Sequence, residues 1–340
     1  MKYPRFLNNK STIGIVAPSF GSQDDPYLSR VLNAQKKFMA MGYNFKLSKD
    51  IFNLENAQSA DKIDRAKEFE NFYFDEDVDF IMSVAGGERM VEILPFIDFE
   101  KIKKCEPKFF MGFSDNTNLT FLLTTICDIA SIYAQNFQDF GMEKWDDSVV
   151  DCYDTITGNK RIQNSYDYYE INDLKHEPQN KLCSYNKTEK VLIENSRNED
   201  EINVSGRIIG GCLDVLTIFC GTKYDRVKEF NEKYKDDGII WFFEAAELNP
   251  MGVLRSLWQL KQCHWFDNAK GFIFGRPANS EDFMGVSHKD AIMEILKDLN
   301  VPIVLGADIG HLPPTMTLIN GAFANVISKN NKLTIDMIYK

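Results

Sequence analysis

Short apolar runs alternate with longer amphipathic segments along residues 12–165. The run TIGIVA at Thr12–Ala17 predicts a buried strand, and residues 26–41 follow with helical spacing. FIMSV at Phe80–Val84 and KFFMGF at Lys108–Phe113 predict two further buried strands, each followed by a helix. Strands that alternate with helices are typical of a parallel sheet covered on both faces. We therefore predict an α/β fold for this part of the chain.

The pattern weakens over residues 143–203, where Asp, Asn, Lys, Glu and Tyr are frequent and apolar runs are few. Apolar runs return from Gly206, and the last ones are separated by turn signals at Asn320-Gly321 and Lys329-Asn330-Asn331. This pattern predicts a mixed α/β region whose C-terminal end is rich in antiparallel strands. The later apolar runs are Ile239–Phe243, Gly271–Phe274, Ile303–Leu305, Thr317–Ile319, Ala322–Ile327 and Leu333–Ile338.

A chain of 340 residues exceeds what one hydrophobic core usually supports, so we expect two domains. The changes in pattern place an N-terminal α/β domain at 1–165 and a smaller C-terminal domain at 204–340. Residues 166–203 are predicted to be a polar inter-domain excursion.

The chain carries 50 acidic and 39 basic side chains, a formal net charge of −11. Phosphate binding needs a basic face, so this charge argues against a nucleic-acid partner. The polar N-terminus does not resemble a signal peptide, and no run approaches the roughly 20 apolar residues of a membrane helix. The seven cysteines include no Cys-x-x-Cys pair and fit reduced thiols used as small apolar side chains. We therefore expect a cytoplasmic protein without a membrane partner.

A serine stands where the third predicted strand gives way to a helix, in the sequence Gly112-Phe113-Ser114-Asp115-Asn116. A hydroxyl at that junction lies near a helix N-terminus, whose free N–H groups favour an oxyanion. The motif resembles a nucleophile elbow, although Asn116 replaces the second glycine of Gly-x-Ser-x-Gly. A helix N-cap is the structural alternative for this serine.

Two glycines, Gly86 and Gly87, follow the strand at Phe80–Val84. Adjacent glycines let the backbone approach a ligand and leave N–H groups able to donate, as a tetrahedral intermediate requires. A tight strand-to-helix turn explains the same pair. The pattern is not Gly-x-Gly-x-x-Gly and does not support a dinucleotide.

Glu244 and His311 each follow a further apolar strand. A carboxylate after the bulky run WFF needs a cation or a hydrogen-bond donor as partner, for which Arg255 is one alternative. Glu247 is the competing carboxylate. His311 lies in a loop stiffened by a glycine and two prolines, which suits a general base. We assign His176, His264 and His288 to structural or solvent roles.

Serine, glutamate and histidine therefore follow separate strands in the order Ser114, Glu244, His311. A serine hydroxyl is a weak nucleophile, so an imidazole must take its proton, and a carboxylate then orients that imidazole. Metal catalysis has less support, because the chain has no His-x-x-x-His motif and no His/Asp cluster.

These motifs resemble the LD-carboxypeptidase family of serine peptidases, which includes muramoyltetrapeptide carboxypeptidases and microcin C immunity peptidases. The resemblance covers nearly the whole chain. The matching segments are IGIVAPS at Ile13–Ser19, SVAGGERMVEILPFID at Ser83–Asp98, KFFMGFSDNTNL at Lys108–Leu119, GGCLDVLTIFCGT at Gly210–Thr222, WFFEAAE at Trp241–Glu247, and Gly306–Leu318.

The resemblance implies a triad of Ser114, Glu244 and His311, with the backbone N–H groups of Gly87 and Asp115 forming the oxyanion hole. It implies a flavodoxin-like or amidotransferase-like N-terminal domain and a C-terminal domain with a barrel-like sheet. It further implies a homodimer, no cofactor and no metal. The implied reaction removes a C-terminal residue or an amide-linked group from a peptide, either in peptidoglycan recycling or from a peptidyl-nucleotide antibiotic.

Weaker candidates for substrate binding are Gly86, Arg89, Trp241 and Asn249. An arginine can bind a substrate carboxylate through two parallel hydrogen bonds, but a surface ion pair explains Arg89 at least as well. The family often has Glu-Asp where this chain has Glu244-Ala245, which changes the neighbourhood of the carboxylate. A catalytically silent peptide-binding protein and a metal-dependent hydrolase are the competing functions.

Overall fold

The computed structural model describes residues 1–196 and 200–339. These residues form two compact units. The first unit contains Met1–Lys160 and Asn172–Asn186, and the second contains Arg161–Ile171 and the described residues from Lys187 onwards. The segment 166–203 therefore does not form a separate piece: its middle belongs to the first unit and its two ends to the second.

The first unit is built on a parallel sheet, as its buried apolar runs predict. Its strands lie in the order β5-β4-β3-β1-β2, and every neighbouring pair is parallel. This is the flavodoxin-like order, in which ligands bind beyond the carboxyl ends of β1 and β3. The α/β fold class is thus confirmed. The strands are β1 (Thr12–Val16), β2 (Asn44–Leu47), β3 (Phe80–Ser83), β4 (Phe109–Gly112) and β5 (Ser131–Tyr133).

The helices of the first unit bury apolar faces against this sheet. The predicted helix at 26–41 is present as α1, which buries Val31, Ala34 and Phe38 at intervals of three and four residues. All nine residues of α4 are buried, including four threonines. The helices are α1 (Tyr27–Ala40), α2 (Lys62–Phe74), α3 (Phe99–Ile102), α4 (Thr117–Thr125) and α5 (Asp147–Ile156), with 3-10 turns at Met90–Phe96, Ser114–Asn116 and Phe137–Gly141.

The second unit contains a mixed sheet in the order β6-β16-β15-β10-β11-β12-β13-β9. The strands β10 to β13 are parallel to one another, and β15 is antiparallel to both β10 and β16. The strands are β6 (Ile162–Asn164), β7 (Tyr168–Glu170), β8 (Lys187–Lys190), β9 (Glu194–Asn195), β10 (Glu201–Cys212), β11 (Ile239–Glu244), β12 (Ala269–Gly275), β13 (Ile303–Ala307), β14 (Leu318–Asn320), β15 (Phe323–Lys329) and β16 (Lys332–Ile338).

The antiparallel strands predicted for the tail are confirmed by β15 and β16, but the barrel-like expectation is wrong. Among the described residues, β6 and β9 form the two edges of an open sheet. Parallel strands joined through helices build a layered sheet, and these two short strands end it. The helices are α6 (Leu213–Phe219), α7 (Val227–Lys233), α8 (Pro250–Gln262) and α9 (His288–Leu296). None of the helices in the described ranges is long and apolar enough to cross a membrane.

Candidate active site

Ser114 occupies a strained turn between β4 and α4. Its φ of +64° lies in the left-handed region, which a residue with a Cβ enters only when its surroundings enforce it. Its backbone N–H donates to the Tyr133 hydroxyl across 3.1 Å, and the chain then enters the 3-10 turn Ser114–Asn116. A sharp strand-to-helix turn with a strained residue is the geometry by which a nucleophile elbow exposes its side chain.

Asn116 has a structural reason to replace the expected glycine. Its amide nitrogen Nδ2 lies 3.0 Å from each of three oxygens: the carbonyls of Ala85 and Phe113, and the side-chain oxygen of Asn136. It therefore ties the loop after β3 to the turn that carries Ser114. A Cβ on Gly112 would lie 2.7 Å from the Asn116 side chain, so the glycine just before the turn makes room for this asparagine.

Gly86, the first glycine of the pair after β3, lies directly against Ser114. A Cβ on Gly86 would stand 3.1 Å from the Ser114 Cβ and 3.3 Å from its Oγ. Gly87 has a φ of +145°, and a Cβ there would lie 2.2 Å from the Ser19 hydroxyl. Gly87 therefore needs glycine, whereas a side chain at Gly86 would be tight against Ser114, and Gly86 is the glycine that lies beside the serine hydroxyl.

The Asp115 carboxylate links three loops at the carboxyl ends of β1, β3 and β4. Its Oδ2 accepts hydrogen bonds from the Ser19 hydroxyl at 2.5 Å and from the Met90 N–H at 2.9 Å. The Ser19 hydroxyl in turn accepts from the Arg89 N–H at 3.2 Å. Burial raises the pKa of Asp115 above its usual range. Sequence reasoning assigned only the backbone of Asp115 and missed this role of its side chain.

In the second unit, His311 pairs with Glu244. Nδ1 of the imidazole lies 2.8 Å from Oε2 of the carboxylate, whose side chain is completely buried. The His311 side chain is 24% exposed, so the imidazole contacts the buried Glu244 and is also accessible from the protein surface. A protonated Nδ1 donates to Glu244, which fixes the orientation of the ring and stabilises a positive charge on it. The competing Glu247 is exposed.

A buried ion pair braces the loop that carries His311. Arg276 Nη1 lies 2.5 Å from Asp308 Oδ1, and Asp308 Oδ2 accepts from the Tyr166 N–H at 2.8 Å. The same guanidinium donates through Nη2 to the carbonyls of Leu312 at 2.9 Å and Pro314 at 3.4 Å. Arg276 therefore holds the loop on both sides of His311. Sequence reasoning missed it, since a lone arginine after GFIFG carries no motif.

Asp214, in the first turn of α6, holds the loop that follows Glu244. Its carboxylate accepts from three successive backbone N–H groups: Ala246 at 3.1 Å, Glu247 at 3.0 Å and Leu248 at 3.2 Å. Burial, with Glu244 and Asp214 nearby, raises the pKa of the Cys212 thiol well above its usual range. The thiol therefore stays neutral beside the carboxylates.

The other predicted substrate-binding residues have structural partners. Arg89 is paired with Glu92, through Nη2 to Oε1 at 2.8 Å and Nε to Oε2 at 3.1 Å. Trp241 is fully buried and stacks on Trp265, so its burial argues against the predicted contact with a substrate. Asn249 caps α8 by accepting from the Gly252 N–H at 2.9 Å. Of the four residues predicted to bind substrate, only Gly86 is seen next to a predicted catalytic residue, Ser114.

The first unit of this α/β protein holds a serine in a strained turn, and the second holds a histidine–glutamate pair. Residues 13–134 match the LD-carboxypeptidase N-terminal domain, and residues 205–326 match the LD-carboxypeptidase C-terminal domain. The chain belongs to the LD-carboxypeptidase family.

Curated relatives match most of the chain at low identity. The microcin C7 self-immunity protein MccF of Escherichia coli is 25% identical over 304 residues, which cover 81% of this chain and 79% of that protein. A Treponema pallidum protein, provisionally named a carboxypeptidase, is 22% identical over 97% of this chain and 94% of its own length.

Solved structures share the fold. An MccF-like protein from Bacillus anthracis superposes with a TM-score of 0.82 at 22% identity, covering 99% of this chain and 100% of that one. MccF in complex with glutamyl sulfamoyl guanosine gives a TM-score of 0.79 at 21% identity, covering 99% of this chain and 98% of that one. A muramoyltetrapeptide carboxypeptidase from Oxalobacter formigenes gives 0.72 at 21% identity, covering 96% and 98%.

Proposed function

We propose that this protein is a serine carboxypeptidase or amidase that uses Ser114, His311 and Glu244 as a catalytic triad. The observation that supports this most strongly is the 2.8 Å pairing of His311 with the fully buried Glu244. A buried carboxylate with an imidazole as partner is the arrangement that a general base needs. The strained turn at Ser114 adds a candidate nucleophile.

In the proposed reaction, Ser114 Oγ attacks the carbonyl carbon of the scissile amide while His311 takes the hydroxyl proton. Glu244 holds the imidazole by Nδ1 and stabilises its charged form. His311 then gives the proton to the leaving amine as the C–N bond breaks. A water molecule, deprotonated by His311, attacks the acyl-enzyme, which releases the acid and restores Ser114.

The negative oxygen of the tetrahedral intermediate is proposed to accept hydrogen bonds from the backbone N–H groups of Gly87 and Asp115. The position of Gly86 supports this, because a Cβ added to it would lie 3.3 Å from Ser114 Oγ, so the glycine loop runs close to the proposed attacking atom. Donors fixed before the reaction need no reorganisation when charge develops. The bonds of the Asp115 carboxylate to Ser19 and Met90 hold both loops in place.

The substrate is proposed to be a peptide with a removable C-terminal residue or an amide-linked group. Solved relatives support both forms: one is named a muramoyltetrapeptide carboxypeptidase, and MccF structures contain glutamyl sulfamoyl guanosine or aspartyl sulfamoyl adenosine. The proposed chemistry uses no cofactor. The cytoplasmic location, the homodimer and a part in peptidoglycan recycling stay predictions.

A fluorophosphonate probe combined with two substrate panels tests this function. We expect the probe to label the wild-type chain and to fail with Ser114→Ala and His311→Ala. Matched controls are Ser29→Ala, which is half-buried in the first turn of α1, and His264→Ala, whose side chain is 71% exposed; both should label normally. The panels are murein tetrapeptides and aminoacyl or peptidyl sulfamoyl nucleosides.

Three results would contradict the proposal. Labelling at another residue would remove Ser114 as the nucleophile. Binding of a panel member without hydrolysis or labelling would support a silent binding protein. Hydrolysis that chelation abolishes and zinc restores, and that survives Ser114→Ala, would support a metal-dependent hydrolase.

A further inference from the structure

Two cysteines that are far apart in the sequence meet in the second unit. Cys220 directly follows α6, and Cys263 directly follows α8. Their sulfur atoms and a carboxylate oxygen of Asp225 all lie within 4.8 Å of one another. The three residues are neither fully buried nor exposed. Sequence analysis treated all seven cysteines as small apolar residues, because 43 positions separate this pair and no short motif marks it.

The Asp225 carboxylate is already oriented by a neighbouring indole. Nε1 of Trp265 donates to both of its oxygens, at 3.1 Å to Oδ1 and 3.2 Å to Oδ2. Trp265 is completely buried and stacks on Trp241 with ring centroids 5.6 Å apart, so the donor is fixed by the core. A donor that fixes a carboxylate in this way is the outer support that metal-binding carboxylates usually have.

We propose that Cys220, Cys263 and Asp225 form a binding site for a thiophilic divalent cation of the zinc class. Two thiolates and one carboxylate are three ligands of the types that Zn²⁺ takes in tetrahedral sites, and water completes the fourth position. Both thiols lose a proton when the ion binds, so each ion releases two protons to the buffer. No oxidation or reduction is involved.

Binding at this site joins the end of α6 to the end of α8. The start of α6 carries Asp214, which holds the loop after Glu244, and α8 begins soon after the same loop. The site uses none of the residues assigned to the proposed reaction and does not depend on that function. The ion is therefore a structural clamp within the second unit, and it takes no part in the proposed hydrolysis.

Cobalt titration of the reduced, full-length chain without oxygen tests this site, because thiolate-bound Co²⁺ gives an intense charge-transfer band. We expect the band to saturate at one ion per chain and Zn²⁺ to displace it. Cys263→Ser and Cys220→Ser should weaken the band sharply, and Asp225→Asn should lower the affinity because it replaces a proposed ligand. Trp265→Phe removes only the support of that ligand and should lower the affinity by about 10–100-fold. The matched control is Cys105→Ser, which changes a cysteine of similar exposure in the first unit.

Circular dichroism checks that each variant is folded. If a cysteine variant does not fold, the Co²⁺ affinity of Asp225→Asn still tests the site. The proposal is overturned if the wild-type chain gives no thiolate band, or if Cys263→Ser binds Co²⁺ like the wild type. A Cys220–Cys263 disulfide that forms in air, in a chain that takes up no ion when reduced, would also overturn it. If folded Cys263→Ser hydrolyses amides as the wild type does, the bound ion is structural and not catalytic.

Discussion

Gly310 lies so close to Glu244 that a Cβ at position 310 would stand 2.7 Å from the carboxylate oxygen Oε2. That same oxygen lies 2.8 Å from Nδ1 of His311. Gly310 also has a φ of +105°, which residues with a Cβ rarely adopt. One glycine therefore turns the loop toward the acid and leaves the space in which the histidine–glutamate pair forms.

The substitution Gly310→Ala should separate this pair. The added methyl group meets Glu244 and the backbone angle is unfavourable, so the loop has to shift and His311 moves with it. A displacement of about 1 Å in a catalytic group can lower turnover about 100-fold, and we expect a loss of at least that size in kcat. Gly285→Ala is the control, because its φ is +84° but nothing lies within 4 Å of the new Cβ. Equal losses of kcat in the two variants would contradict the role of the clash between the added methyl group and Glu244.

Glu244→Gln tests the charge of the buried carboxylate. The amide fills nearly the same volume but cannot stabilise a positive imidazole, and it favours the wrong tautomer of His311. In a serine protease the equivalent change lowers kcat about 10⁴-fold, and we expect a loss of about 10³–10⁴-fold here. Glu247→Gln, at the exposed neighbouring carboxylate, should leave hydrolysis unchanged. Steady-state kinetics of both variants decide which of the two acids acts.

The buried strands could be predicted from the sequence because their apolar runs are continuous. A parallel strand buried on both faces needs such a run. The run IIWFFE of β11 therefore predicts a buried strand even when the adjacent strands are unknown. The turn after β4 was also recognisable, since a serine beside an apolar run and an acidic first helical turn is a local signal. The sequence did not explain why Asn116 stands where a nucleophile elbow has its second glycine. The structure explains it by the three hydrogen bonds of the Asn116 side-chain amide.

Partners that lie far apart in the sequence could not be predicted in this way. Arg276 and Asp308 are separated by 32 positions, and neither has neighbours that mark it as one half of an ion pair. The barrel-like sheet was expected from the family resemblance, and the sequence pattern alone could not correct that expectation. Closure depends on which strands pair at the two edges, and β6 and β9 are too short to be recognised from alternation of side chains.

Arg276→Met should destabilise the second unit and loosen the loop around His311. It leaves the fully buried carboxylate of Asp308 without its cation and removes the donors to Leu312 and Pro314. Breaking a buried pair in this way costs about 3–5 kcal/mol in the free energy of unfolding. The exposed pair of Arg226 with Glu229 is a matched control, and Arg226→Met should cost at most about 1 kcal/mol. Urea denaturation measures both, and similar values would contradict the bracing role.

Ser114 should impose a cost on stability that glycine relieves. Its left-handed φ of +64° costs about 1–2 kcal/mol for a residue with a Cβ, and alanine keeps that cost. We therefore expect Ser114→Gly to be more stable than Ser114→Ala by about 1 kcal/mol, although glycine gains entropy in the unfolded chain. Both variants should be inactive in hydrolysis.

The control is the same pair of changes at Ser29 within α1, where the backbone is helical. There Ser29→Gly should be less stable than Ser29→Ala by about 1 kcal/mol, because glycine is the poorer helix former. Denaturant midpoints of the four variants give both differences. A reversal of the order between the two positions would show that the fold holds Ser114 in an unfavourable backbone conformation. The same order at both positions would mean that the turn stores no strain.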